Sequence, residues 1–173
     1  WTFVAAGHET TSNSMTWTMY VLMTNEQVLQ VCRDEVDRVL PNGTELTYEH
    51  MNELMVCEAV LQETLRLYPP APFLERQYIR EYSISNKGNR QMRIPVGARV
   101  LTNTYILHRR AEFWCRIRLY PLVTRSSGPH NCIGQNFSLL EAKVILALLV
   151  QRCNFEIEAG QKIVPDISHY YAT

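Results

Sequence analysis

The sequence has no hydrophobic run of the roughly 18 residues that a membrane-spanning helix requires. It has no excess of either charge, because 17 Lys and Arg residues balance 17 Asp and Glu residues, and this balance gives no argument for nucleic-acid binding. Its five cysteines are an odd number without a C-x-x-C pair, which argues against a disulfide framework or a zinc site and favours a reducing compartment. What remains is a chain of 173 residues, 46% hydrophobic, which suits one domain with a sizeable core.

The first residues carry no initiator methionine and no basic segment followed by a cleavage site. The sequence starts inside an apolar segment that no capping residue precedes. We therefore expect residues 1–173 to form a single partial domain whose N-terminal portion is missing.

Hydrophobic spacing predicts a mainly helical chain with a small β region. The first helix is expected to be buried on most sides because it is rich in Ala, Met, Thr, Trp and Val, and Glu35 is expected on the outer face of the second. A terminal hairpin and tail are expected over residues 154–173. The predicted helices span 1–24, 26–40, 48–54, 56–67 and 139–153, and the predicted strands 82–84, 91–93 and 99–105.

Cys132 lies in a turn between Gly128 and Gly134, directly before the last apolar helix. Glycine permits tight backbone conformations against a ligand, and a helix N-terminus favours a thiolate. This arrangement suits a cysteine that binds a metal. The alternative is a turn followed by a buried structural thiol.

Glu63 and Arg66 are three residues apart in a predicted helix, so their charges share one face. Their apolar neighbours indicate a pair that is substantially buried and holds local geometry. The alternative is an ordinary surface pair of little energetic weight.

Glu9 and Thr10 form an acid–hydroxyl pair inside the first helix, where such residues are unusual. The Thr10 hydroxyl can bond to a carbonyl one turn earlier and open the helix there. An acid and an alcohol at such a point suit proton transfer to a bound ligand. The alternative is a helix with incidental threonines.

Together and in this order, these motifs resemble the C-terminal part of a cytochrome P450, a member of the haem-thiolate monooxygenase family. The resemblance covers essentially the whole chain but only about the C-terminal third of a family member. It implies the part of that mainly α fold from the central helix to the cysteine loop and the final helix. The matching stretches are Ala6–Thr11, Glu63–Arg66, Pro70–Arg76, Gly128–Gly134 and its continuation to Lys143.

The resemblance also implies roles for single residues. Cys132 would be the proximal thiolate ligand of haem b iron, and Glu9 and Thr10 would manage proton delivery on the opposite face. Arg76 would pair with a haem propionate. His130 would take the place of an arginine that usually contacts a propionate in the family.

Glu63 and Arg66 would form a structural lock beneath the proximal side. The family's P-x-R-F element, whose arginine completes that network, is missing, and a shorter segment, 115–125, stands in its place. Arg125 also replaces a phenylalanine that usually shields the thiolate. A mis-joined gene model, a splice variant or a decayed gene would explain this segment.

The resemblance implies insertion of one oxygen atom from O₂ into an apolar substrate, with electrons from NADPH through a flavin-containing reductase. It further implies that the protein is located at the endoplasmic reticulum membrane, through an anchor absent from these residues. It also implies that the isolated fragment is inactive. One alternative is a non-catalytic or decayed haem-binding relative. Another, a relative that rearranges peroxides, is disfavoured because that chemistry does not need the Glu9–Thr10 pair.

Overall fold

The computed structural model describes residues 2–41, 44–85, 91–114 and 131–165. These residues form a mainly helical structure with two small sheets, which confirms the predicted fold class. In chain order the elements are α1 (Thr2–Met23), α2 (Glu26–Val39), α3 (Tyr48–Glu53), α4 (Met55–Leu67), β1 (Phe73–Gln77), β2 (Tyr82–Ser85), β3 (Gln91–Ile94), β4 (Arg99–Asn103), α5 (Thr104–Leu107), α6 (Ala111–Trp114) and α7 (Gln135–Arg152).

The core lies where α1, α2, α4 and α7 pack against one another. Each helix contributes side chains that are removed from solvent, and burial of this apolar surface is the main force that holds the four helices together. Leu29, Cys32 and Val36 of α2 face this core, whereas Val28 and Val31 of the same helix are exposed. The core residues with no exposed surface are Leu22, Cys32, Val36, Cys57, Leu146 and Ala147 of these helices and Leu54, which lies between α3 and α4.

The strands form two antiparallel pairs, β1 with β4 and β2 with β3. Strands β2 and β3 were predicted, without their pairing, but β1 was not. The predicted strand 99–105 ends earlier, at Asn103, because the Asn103 side chain accepts a hydrogen bond from the Ile106 backbone N–H at 2.9 Å. This cap starts the short helix α5 instead.

The prediction that α1 is buried on most sides is wrong for its N-terminal half. Side chains 3–10 are exposed, and the buried ones begin at Ser14. The reason is geometric: the packing of α1 on α2, α4 and α7 places Met15, Thr18 and Leu22 in the interior.

The placement of Glu35 on the outer face of α2 is also wrong. Glu35 is buried, and its carboxylate accepts hydrogen bonds from the backbone N–H groups of Val56 (2.7 Å) and Cys57 (2.9 Å). These N–H groups belong to the first turn of α4, whose N-cap residue Leu54 provides no side-chain cap. Glu35 therefore caps α4 from a neighbouring helix.

The last helix starts four residues earlier than predicted, at Gln135. The terminal hairpin is not formed over residues 154–165, where the structure has a turn at Ala159–Gly160 and no strand. Gly160 has a φ of 86°, a conformation that favours glycine. The rest of the predicted hairpin, 166–173, lies outside the described residues.

Candidate active site

The Cys132 side chain is exposed, so the buried structural thiol that was the alternative reading is excluded. The Cys132 backbone N–H donates to Asn131 Oδ1 at 2.7 Å, and its carbonyl accepts from the Gln135 N–H at 3.3 Å. The turn therefore leads directly into α7, as predicted, with Cys132 three residues before the helix. Ile133 and Phe137 are also strongly exposed, which leaves an apolar surface beside the thiol.

The glycine argument for this turn is not realised at Gly134. Its φ is −88°, which any residue adopts, and a side chain there would meet no atom within 4 Å. Gly128 lies outside the described residues.

A cleft of about 290 Å³ lies beside Cys132. Its described walls come from α1, α4, the segment before and within β1, the cysteine turn and α7, and most of them are apolar. A cleft with apolar walls and a few convergent polar groups is typical of a ligand-binding site. The lining residues are Thr10, Thr11, Ser14, Leu61, Leu65, Pro70, Ala71, Leu74, Asn131, Cys132, Ser138, Leu139 and Ala142.

Two of the sequence-predicted residues, Thr10 and Cys132, line this one cleft although they are 122 positions apart in the chain. Thr10 comes from α1, and Cys132 comes from the turn before α7. The fold thus brings a hydroxyl and a thiol to the same cavity.

The Thr10 hydroxyl donates to the carbonyl oxygen of Ala6 at 2.6 Å, the back-bond that its position in the helix predicts. The expected opening of the helix is not seen, because α1 is continuously α-helical from Thr2 to Met23. Ser14 in turn donates to the Thr10 carbonyl at 2.9 Å. Glu9 is exposed on α1 and is not among the described residues that line the cleft.

Arg76 lies in β1 opposite Val100 of β4, and its Nη1 donates to the Glu75 carbonyl at 2.8 Å. Arg76 does not line the cleft, but Leu74 does. Residues two apart in a strand share a face, so Arg76 lies on the face that meets the cleft at Leu74. His130, the other predicted propionate partner, lies outside the described residues, as does segment 115–125.

Glu63 and Arg66 form a two-pronged ion pair on α4. Arg66 Nε donates to Glu63 Oε2 at 2.8 Å and Nη2 donates to Oε1 at 2.6 Å. Arg66 Nη1 also donates to the backbone carbonyl of His108 at 2.8 Å, which joins α4 to the turn after α5. The hydrogen bonds that Arg66 donates to the Glu63 carboxylate raise the pKa of Arg66.

The burial predicted for this pair is only partly correct. The Arg66 side chain is 18% exposed, but the Glu63 side chain is 55% exposed. The difference arises because Arg66 reaches toward His108 while Glu63 stays at the surface of α4. The pair does not line the cleft, although it belongs to α4, whose Leu61 and Leu65 do.

Two buried charged residues near the cleft were not singled out from the sequence. Glu35 caps α4, and Lys143 of α7 bonds to Glu58 of α4. A signal existed for each. Glu35 falls between Cys32 and Val39 at the helical spacing of buried positions, and Lys143 is the one charge within the run 142–150 of α7.

Across the residues that the structure covers, no helix has both the length and the apolarity to cross a membrane.

Comparison with known proteins gives a consistent family match. A family model described as "Cytochrome P450" matches residues 1–116 and 120–169. Cytochrome P450 4A6 of Oryctolagus cuniculus is 31% identical over 95% of this chain and 34% of its own length. Cytochrome P450 3A12 of Canis lupus familiaris is 34% identical over 89% of this chain and 33% of its own length.

Relatives with other names match to a similar degree. Carotene epsilon-monooxygenase, chloroplastic, of Arabidopsis thaliana is 31% identical over 92% of this chain and 32% of its own length. Taurochenodeoxycholic 6 alpha-hydroxylase of Sus scrofa is 30% identical over 95% of this chain and 34% of its own length. The chain thus spans about a third of the length of the curated relatives it matches.

Proposed function

This chain belongs to the cytochrome P450 family, and on that premise we propose that it is the C-terminal portion of a haem-dependent monooxygenase. The reaction is the insertion of one oxygen atom from O₂ into an apolar organic substrate. Cys132 is the iron ligand. The observation that carries this proposal is the meeting of Cys132 and Thr10 at one apolar cleft.

The described residues fit the cofactor that the family uses. The thiol of Cys132 is accessible, as a metal ligand must be, and a deprotonated cysteine is a suitable haem ligand. The apolar side chains of Leu61, Leu65 and Leu74 suit a largely apolar macrocycle. Haem b, when bound, supplies the dioxygen chemistry, and the protein supplies binding, orientation and proton control.

Each site residue has a proposed task. Cys132 holds the iron through its sulfur and donates electron density to it. The Thr10 hydroxyl holds a proton at the cleft wall, and Glu9, the next residue on α1, exchanges that proton with solvent. Arg76, together with His130, neutralises the propionates through charge-assisted hydrogen bonds.

Glu63 and Arg66 act on structure rather than on substrate. Arg66 connects α4 to the His108 carbonyl, while Glu63 holds the guanidinium in the orientation that this contact needs. The pair therefore keeps the α4 wall of the cleft, which includes Leu61 and Leu65, in place.

We further propose that residues 1–173 are part of a longer single domain, and that this part is inactive alone. The exposed N-terminal half of α1 supports this, because a helix that carries Phe3 and Val4 into solvent leaves apolar surface for other segments to cover. Electrons come from NADPH through a flavin-containing reductase. The family's microsomal members favour the endoplasmic reticulum membrane with an N-terminal anchor.

The reduced, carbon-monoxide-bound absorption spectrum of the full-length protein tests the ligand. We expect a strongly red-shifted Soret band that disappears in Cys132→Ser and persists in Cys153→Ser, a matched change at a partly exposed cysteine. A full-length protein that takes up no haem would overturn the proposal.

The role of Thr10 has a separate test. Thr10→Ala is expected to keep haem binding and to divert consumed O₂ toward hydrogen peroxide, because the hydroxyl that holds the proton is gone. Thr16→Ala is the matched control, since Thr16 makes the same kind of back-bond, to Ser12, but does not line the cleft. Unchanged coupling of O₂ to product in Thr10→Ala would contradict the role.

A further inference from the structure

Helices α4 and α7 form facing walls of the cleft beside Cys132. Leu61 and Leu65 come from α4, and Ser138, Leu139 and Ala142 come from α7. Because Cys132 lies three residues before α7, the position of α7 relative to α4 sets where the thiol lies in the cleft.

A buried lysine joins these two helices. Lys143 Nζ donates to Glu58 Oε2 of α4 at 2.8 Å and to the backbone carbonyl of Met51 in α3 at 2.5 Å. The Lys143 side chain is 5% exposed and that of Glu58 is 36% exposed. One ammonium group thus binds α7 to two other helices.

This connection lies next to the cleft. Lys143 directly follows Ala142, and Glu58 lies about one turn before Leu61, so both ends of the ion pair border residues of the cleft wall. Along α7, Lys143 is eight residues after Gln135, about 12 Å at the helical rise per residue. The connection therefore lies at the end of the cleft wall that is farther from Cys132.

The remaining contacts between the helices are largely apolar, as at Leu146 and Ala147. Apolar burial is non-directional, so it does not by itself require one particular arrangement of the two helices. A buried ion pair with good hydrogen-bond geometry adds little net stability but selects one arrangement. The bond between Lys143 and Glu58 can select one arrangement of α7 against α4 in this way.

We propose that Lys143 is a positioning residue for the iron ligand: its bonds to Glu58 and Met51 fix α7 against α4 and so hold Cys132 at the cleft. The proposal rests on the proposed function, because it assigns Lys143 a task toward the ligand named there. Lys143 itself does not touch the cleft.

The test is Lys143→Met in the haem-loaded full-length protein, which keeps the chain length and removes the ammonium. We expect a smaller fraction of thiolate-ligated haem in the reduced carbon-monoxide spectrum. We also expect about 10-fold faster haem transfer to an excess of acceptor globin, similar to the effect of residues that orient metal ligands. Both measurements are made below the unfolding temperature of every variant.

The matched control is Val150→Ala, which removes buried contacts of the same helix two turns beyond Lys143. We expect it to lower stability and to leave thiolate ligation intact. Equal loss of thiolate ligation in the two variants would show that Lys143 only stabilises, and would overturn the inference.

Glu58→Gln is the milder variant if Lys143→Met does not fold, because Lys143 keeps its bond to Met51. We expect an intermediate loss of thiolate ligation, and no loss overturns the inference. A wild-type protein without the thiolate signature would overturn the proposed function and this inference with it. A normal wild-type signature that Lys143→Met leaves unchanged would overturn the inference alone.

Discussion

Two ion pairs on helix α4 differ in what they connect. Glu63–Arg66 closes within the helix, at a spacing of three residues, and its carboxylate faces solvent. Glu58–Lys143 joins α4 to α7 across 85 positions of the chain, and its ammonium is buried. The first was evident from the sequence and the second was not.

The two pairs differ in what they can stabilise, because one lies within a helix and the other joins two helices. A pair within one helix is weak unless it reaches a second element, and here only Arg66 does so, through the His108 carbonyl. An ion pair between helices constrains their relative position, and the loss of Lys143 leaves the half-buried Glu58 carboxylate with its bond to Gln62 alone among the bonds described. We therefore expect Lys143 to matter more for the structure than Glu63.

The largest effect is expected from Lys143→Met. It removes the ammonium that bonds to Glu58 and to the Met51 carbonyl. Because the Glu58 side chain is 36% exposed and its other oxygen still accepts from Gln62, the loss in the free energy of unfolding should lie below the range for a fully buried pair, at about 2–3 kcal/mol. Chemical denaturation followed by circular dichroism measures this. A loss below about 1 kcal/mol, the range of surface pairs, would contradict the comparison.

A double change separates charge from packing. Lys143→Met with Glu58→Met replaces the pair by apolar side chains, which is often neutral or stabilising at buried positions. We expect this double variant to be more stable than Lys143→Met alone. If it is equally unstable, the cost lies in the lost Met51 contact rather than in the uncompensated Glu58 charge.

A smaller loss of stability than that of Lys143→Met is expected from Glu35→Ala. This change leaves the Val56 and Cys57 N–H groups of α4 without their acceptor, and loss of a helix cap costs about 0.5–2 kcal/mol. Asp34→Ala on the exposed side of α2 is the control, since its carboxylate bonds only to Gln30 among the interactions described. Equal denaturation midpoints for the two variants would contradict the capping role.

Much of the fold could be predicted because local sequence patterns indicate most of its helices and strands. The bounds of α2 and α4 follow from their apolar stripes and from Pro69 and Pro70. What escaped prediction depends on other elements. Strand β1 has no alternation of its own and forms because β4 pairs with it, and Glu35 is buried because the uncapped start of α4 lies beside it.

The candidate site divides in the same way. The spacing of Thr10 predicted its bond to Ala6, and the turn before α7 favoured a cysteine that binds a metal over a buried structural thiol; the Cys132 side chain is exposed. That these two residues line one cleft could not be derived from periodicity, because it depends on how α1 and α7 pack against α4. The role of Lys143 is hidden for the same reason.

A smaller effect on the free energy of unfolding is expected from protonation of His108, whose backbone carbonyl accepts a hydrogen bond from Arg66. Burial lowers the pKa of the His108 ring and is the largest cause; a hydrogen bond to the Arg66 backbone opposes it, and the charges of Arg66 and Arg109 lower the pKa further. The unfolded chain therefore binds more protons than the folded one at acidic pH. The free energy of unfolding is highest above the unfolded pKa of about 6.5 and falls as the pH drops below that value. The slope cannot exceed about 1.4 kcal/mol per pH unit for one group.

Denaturation midpoints between pH 5 and 8 measure this slope. His108→Gln should flatten the profile below pH 6.5 relative to the unchanged protein. An unaltered slope in His108→Gln would show that another group titrates.

The smallest effect is expected from Glu63→Gln. The Glu63 side chain is 55% exposed, so solvent screens its attraction to Arg66, and the loss in the free energy of unfolding should be about 0–1 kcal/mol. The amide can still accept one bond from the guanidinium, and Arg66 keeps its bond to the His108 carbonyl. Arg66→Met, by contrast, removes that bond from a side chain only 18% exposed and should cost about 1.5–3 kcal/mol. Both variants lose the ion pair, but only Arg66→Met also loses the bond to the His108 carbonyl. If the two variants lose the same free energy of unfolding, the bond to His108 adds nothing to stability. That result would contradict the proposal that Arg66 acts by joining α4 to a second element.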